Sequence, residues 1–282
     1  MNAIRRSSII IGTLFIAATA FSILGHVSYG PILNNPDYII YGPTSENQIV
    51  LGAIFGMLAA VSVAGTAIAF FPILRKRDEP IALVYIGGRL LEAFLIIIGL
   101  VSILTLLTLR QEFTLGEALD TSSLQTADHL LRSTHAWAFI LGPNFILGIS
   151  TLLYSSILYR SRLVPRGLAT LGMVGAIFVI FAALLELFGV ILQVSAWGSV
   201  LSLPVGVYEI ALGVYLIVKG FKLSATDSES AKTEMKEQIV VAKNREESKY
   251  AKMEMKEQIS AIKNVEESKS AKTEAKEQIS AT

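Results

Sequence analysis

The sequence predicts an all-α integral membrane protein: a six-helix transmembrane bundle with both termini cytoplasmic and a charged repeat tail. Three observations carry that prediction. The chain of 282 residues is 52% hydrophobic and only 17% charged, against about a quarter charged in an ordinary soluble domain; its mean hydropathy is +0.57. The charge is crowded at one end, because residues 1–224 hold 13 of the 24 Lys and Arg and 11 of the 23 Asp and Glu, leaving about half for residues 225–282. Six apolar runs, at about 8–28, 49–74, 81–108, 136–158, 168–192 and 197–218, are each long enough to cross a ~30 Å hydrocarbon core at ~1.5 Å per residue.

The first run follows Arg5 and Arg6 and contains Ala18-Thr19-Ala20, a small-x-small triplet that looks like a signal-peptidase site. The chain continues apolar through Phe21, Ser22, Ile23 and Leu24, so the reading is an uncleaved helix. In the second run Gly52, Gly56, Ala60 and Ala64 recur every four residues, a stripe for close helix contact within the monomer or across a homo-oligomer. The third run holds Arg89 and Glu92. The fourth opens at His135 and carries Pro143 and Asn144; the fifth carries Glu186; the sixth carries Pro204 and Glu209. Each of those prolines removes a helix hydrogen bond and predicts a kink.

Orientation follows from Lys and Arg, which mark cytoplasmic loops. Arg5 and Arg6, Arg75 to Arg77, Arg160, Arg162 and Arg166, and Lys219 and Lys222 all fall on one side. The opposite loops hold Arg110 and Arg132 among Asp37, Glu46, Glu112, Glu117, Asp120 and Asp128. The tail, residues 231–282, repeats with a period of 20, beginning "AKTEMKEQIVVAKNREESKY". Its composition favours helix, but at 100° per residue its apolar stripe turns by about 200° between repeats, so neither a heptad seam nor a packed solenoid is predicted. It reads as a solvated, partly helical cytoplasmic tail, with docking of a cytoplasmic partner as the sharper alternative.

Ionisable groups inside membrane spans are costly and face the bundle interior. Arg89 lies about 13 Å in from Pro80, Glu92 about 18 Å, and Glu209 about 15 Å from Lys219 on the same side, so the three converge near the midplane. Arg89 and Glu92 share a helix face, as do Gly206, Glu209 and Gly213, where glycine permits close helix approach. A second layer of His26, His135, Asn144 and Glu186 lies nearer the outer surface. Two histidines and a carboxylate are zinc-ligand types, and "DHLLRSTH" adds Asp128 and His129, but no tight ligand spacing occurs and no metal is predicted. His26 and His135 read instead as interfacial hydrogen-bonding groups beside Tyr29 and Trp137 of an aromatic belt.

The near-zero net charge of +1 argues against a nucleic-acid partner. The absence of cysteine excludes disulfides, thiol catalysis and thiolate metal sites. No phosphate-binding glycine loop or nucleophile elbow is present, and no cofactor is assigned.

Three stretches resemble a known family of bacterial and archaeal membrane proteins, domain of unknown function 4386. "GGRLLEAFL" resembles its Arg-x-x-Glu-Ala element; "ILYRSRLVPRGLATLG" its basic loop and proline; "LPVGVYEIALGVYLIVKGF" its last helix. The likeness covers roughly residues 1–222. It implies a polytopic membrane protein and marks Arg89, Glu92, Pro165, Arg166, Glu209 and Lys219 as family-type positions, without supplying an activity. The leading expectation is a multi-pass membrane protein in the lipid bilayer of the cell membrane, handling a small solute or ion at Arg89, Glu92 and Glu209. The alternatives are a structural or sensory scaffold acting through its tail, and an intramembrane metal-dependent hydrolase at His26, His135 and Glu186.

Overall fold

The computed structural model describes residues 3–35, 38–41, 46–116, 120–191 and 196–222, together with Met255. The chain divides after Lys222 into two units, Met1–Lys222 and Leu223–Thr282. The predicted tail repeats, like Asp37 and Glu117, lie outside the described residues, Met255 apart.

The first unit is helical: α1 (Ala3–Asn34), a single turn α2 (Tyr38–Tyr41), α3 (Glu46–Arg75), α4 (Glu79–Thr114), α5 (Thr121–Phe139), a π-helical segment (Ile140–Ile146), α6 (Leu147–Ser161), α7 (Arg166–Leu187) and α8 (Ala196–Val218). Six helical stretches among the described residues are long and apolar enough to cross a membrane, and α5, the π segment and α6 together make one of them, Ser122–Ser161. This is a multi-pass membrane protein. Its outward faces are apolar: Val61, Ile68, Val101 and Ile177 are each more than half exposed, as helices bathed in lipid require.

Each span packs on its neighbour in the chain, and α8 returns to α1, so the spans stand in sequence order around a closed ring. Lipid tails are as apolar as leucine, so small residues that let backbones approach must supply the helix contacts. Gly12 of α1 lies against the Gly213 carbonyl of α8, and Gly175 of α7 against the Pro204–Val205 backbone. The glycine stripe of α3 is spent inside the chain. Gly52 packs on Ser28 and Tyr29 of α1, Gly56 packs on Leu100 of α4, and Ala60 is buried. Gly52 and Gly56 thus make their close contacts within the chain, one of the two arrangements that the stripe allowed.

The basic end is closed by capping and by aromatic packing. Arg5 donates to the carbonyls of Leu216, Ile217 and Val218 in the last turn of α8, where a helix runs out of its own donors; the Leu216 carbonyl also accepts from the Gly220 N–H. Lys222 N–H donates to the Leu163 carbonyl at 2.8 Å, tying the chain after α8 to the α6–α7 turn. In the same half, Phe15, Phe70, Tyr85, Tyr154 and Tyr208 are fully buried. Their rings touch in a continuous cluster, with centroids 5.9 Å apart for Phe70–Tyr85, 5.5 Å for Tyr85–Tyr154 and 6.0 Å for Tyr154–Tyr208.

Helix α1 runs over Ala3–Asn34 rather than 8–28, and three further boundaries differ from the expected ones. Helix α4 runs to Thr114 rather than residue 108, a length of about 54 Å that exceeds the hydrocarbon core. Its overhang buries Arg110, expected in a loop; the guanidinium donates to the Tyr38 carbonyl and lies 4.8 Å from the Tyr38 ring centroid. Burial lifts the Tyr38 phenol above its ordinary range, with Arg110 opposing the shift. Helix α5 begins at Thr121, fifteen residues ahead of the apolar run, because the polar segment 121–135 is held by side chains. Arg132 pairs with Asp128 at 2.7 Å and donates to the Ile32 carbonyl. Helix α7 stops at Leu187 rather than 192, where Gly189 takes a φ of 67° and the Val190 N–H turns back to the Leu185 carbonyl at 2.9 Å. Pro143, expected to kink its span, sits inside the π-helical segment, whose wider turn takes up the missing N–H.

Candidate functional site

The ring of helices encloses a cavity of about 560 Å³. Its floor is the midplane trio. Arg89 is fully buried, and Glu92 and Glu209 are 3% and 6% exposed. Arg89 Nη1 bonds Glu92 Oε2 at 3.0 Å, one turn along α4, and lies 3.7 Å from Glu209 Oε1 across the ring. The guanidinium carbon stands 5.9 Å from the Phe15 ring centroid, so the aromatic cluster forms the underside of the floor.

Glu209 is held by a residue with no assigned part in the sequence reading. Thr19 Oγ1 donates to Glu209 Oε2 at 2.8 Å, both groups buried. The triplet Ala18-Thr19-Ala20 that resembled a cleavage site thus supplies a hydroxyl of α1 at the depth of the trio. The available signal was depth alone: Thr19 is a hydroxyl residue inside the first apolar run, at a level similar to that of Glu209. The other oxygen, Oε1, has no hydrogen-bond partner, and neither has Arg89 Nε. One guanidinium therefore faces two carboxylates, and the cavity floor carries an acceptor without a donor. Buried polar groups are ordinarily satisfied, and an unmet one costs about 1–3 kcal/mol.

The outer layer lines the same cavity: His26, His135, Asn144 and Glu186 join Arg89, Glu92 and Glu209 in one lining. They divide into two sets. His135 Nδ1 lies 3.1 Å from the Gly99 carbonyl, which makes that nitrogen the donor. The Tyr29 ring packs edge-on between His26 and His135, at 5.7 and 5.6 Å. Asn144 Nδ2 donates to Glu186 Oε2 at 2.8 Å, joining the π segment to α7. The aromatic-belt expectation is corrected for Tyr29, which is 6% exposed and part of the wall, whereas Trp137 is 49% exposed.

Among the described residues, no group of three His, Asp or Glu side chains could hold a metal ion. Glu186 is engaged by Asn144 and His135 by a backbone carbonyl, so the hydrolase alternative at His26, His135 and Glu186 lacks its ligand set. Asp128 is held by Arg132, and His129 is exposed. Gly206 is also corrected. It mediates no close helix approach, because a Cβ there would meet nothing within 4 Å; it faces the open cavity, while Gly213 makes the backbone contact.

A family model described as "Domain of unknown function (DUF4386)" matches residues 10–220. No curated protein and no solved structure matches the chain.

Proposed function

The chain belongs to the DUF4386 family, and from that premise we propose that its bundle handles a small solute that presents a positive charge or hydrogen-bond donor to Glu209. The observation that carries this reading is the Glu209 Oε1 atom, buried and without a donor on the floor of a cavity of about 560 Å³. That volume lies within the ~300–1,000 Å³ range of small-molecule sites. A structural ion pair alone needs no cavity above it, and its carboxylates would be fully partnered. The direct test is binding of small ammonium compounds to the purified full-length chain in mild detergent, followed by calorimetry. Saturable binding lost by at least tenfold in Glu209→Gln supports the reading. Equal binding, or none, in both proteins removes it.

Both termini on the cytoplasmic side of the cell membrane is the orientation that the Lys and Arg distribution supports, with Arg75 to Arg77 and Arg160 to Arg166 inside. Because the chain has no cysteine, single substitutions report this cleanly. Lys76→Cys is expected to react with a membrane-impermeant maleimide only in inverted vesicles, and Gln125→Cys only in intact cells. The reverse pattern would invert the topology and place the cavity mouth on the cytoplasmic side.

A further inference from the structure

The walls of the cavity narrow the class of solute, and the inference rests on the floor reading above. In the basic half, α1 and α8 touch backbone to backbone at Gly12 and Gly213, and the Thr19–Glu209 hydrogen bond continues the contact to the floor. Nearer the outer end α1 packs closely on α3, where a Cβ added at Gly25 would stand 3.2 Å from the Gly52 carbonyl oxygen and 3.3 Å from the Gly56 nitrogen. At that level the α1–α8 seam carries Ile23 and Val27 of α1 and Leu203 and Val207 of α8. All four line the cavity and are 50–68% exposed. Side chains that line a cavity and stay this exposed make its wall open there. Gly206 lies in this seam with open space where a side chain would stand.

We propose that the cavity takes a lipophilic amine directly from the bilayer, through the α1–α8 seam, with its ammonium group at Glu209 and its apolar part along Ile23, Val27, Leu203 and Val207. The charge of the floor selects a cation, since Arg89 is already engaged by Glu92 and an added carboxylate would meet two others. From Glu209 to Gly198 the lining runs eleven residues along α8, about 16 Å, enough for an extended apolar group above the charge. An entirely polar solute would leave those aliphatic side chains without a partner.

The test uses the full-length chain in phosphatidylcholine nanodiscs and reads the thermal unfolding midpoint, which a ligand of the native state raises. The probes are N,N-dimethyldecylamine, tetramethylammonium and decanoate at matched concentrations. The amine is expected to raise the midpoint with an apparent affinity at least tenfold above that of tetramethylammonium, and decanoate to leave it unmoved. Gly206→Phe, which adds a ring at a position where a Cβ meets nothing within 4 Å, is expected to abolish the amine shift without lowering the unliganded midpoint. Leu203→Trp repeats the test should Gly206→Phe not fold. Equal affinity for both cations, unchanged by either seam substitution, overturns the lateral route and leaves the Glu209 site standing. An equal shift with decanoate overturns the selection of a cation. No shift with either cation, and no effect of Glu209→Gln, removes both readings.

Discussion

Arg89→Met is expected to destabilise the bundle by about 3–5 kcal/mol, the usual cost of removing one member of a buried ion pair. The guanidinium is fully buried, bonds Glu92 at 3.0 Å and faces Glu209 at 3.7 Å, so its loss leaves two carboxylates in an apolar interior without a counter-charge. Methionine fills most of the volume, which makes the lost charge, and not a cavity, the dominant effect. The measurement is denaturant or thermal unfolding in one mild detergent, arranged as two double-mutant cycles. Contacting residues couple by about 0.5–3 kcal/mol. The cycle of Arg89→Met with Glu92→Gln is expected to show the larger coupling, because that pair is directly hydrogen-bonded, and the cycle with Glu209→Gln the smaller. Arg89→Lys is expected to fall between, since an ammonium keeps the charge but cannot present the planar fork. A loss under about 1 kcal/mol for Arg89→Met, with no coupling to either glutamate, would refute the trio as an energetic unit. Glu209→Gln alone is expected to cost little, because its Oε1 accepts no hydrogen bond in the folded chain. That asymmetry separates a residue held for the fold from one held for a ligand.

Depth along each helix was legible in the sequence, and lateral position was not. A span rises by a fixed amount per residue, so counting from Pro80 and Lys219 brings Arg89, Glu92 and Glu209 to one level. Nothing in that count says which helices are neighbours. Adjacency comes from the closing of the ring by α1 and α8, and that rests on single glycines, Gly12 and Gly213, which look like any other glycine in an apolar run. Thr19 escaped notice for a related reason: small and weakly polar, it reads as part of a processing triplet until α8 is placed beside it. The midplane trio and the outer layer read as separate sites because counting residues from the loops puts them at different depths. One cavity spans that distance. The overhanging ends of α4 and α5 were hidden because hydropathy registers only the apolar part of a helix. Arg110 and Arg132 extend those helices by bonding to the Tyr38 carbonyl of α2 and the Ile32 carbonyl at the end of α1.

The same substitution at two glycines of α8 should move stability in opposite directions. At Gly213 a Cβ would stand 2.7 Å from the Gly12 carbonyl oxygen and 2.7 Å from Ile16 Cγ1, closer than real Cβ atoms approach. A carbonyl fixed in a helix cannot step aside, so Gly213→Ala must push α1 and α8 apart. Overpacking of this kind costs about 1–3 kcal/mol, more than the up to ~1 kcal/mol that alanine gains over glycine in a helix interior. At Gly206, where a Cβ meets nothing within 4 Å, only the propensity gain remains, and Gly206→Ala is expected to be neutral or stabilising by up to ~1 kcal/mol. Gly213→Ala carries a second consequence. Thr19 and Glu209 meet on the same α1–α8 seam, so parting the helices at Gly12 and Gly213 strains the hydrogen bond that orients Glu209. The variant is therefore expected to weaken cation binding as well as stability, whereas Gly206→Ala leaves the floor intact. Unfolding midpoints and cation titrations of the two alanine variants, measured side by side, decide the point. Shifts of the same sign at both positions would mean that α1 and α8 do not meet at Gly12 and Gly213, and the ring would have to close elsewhere.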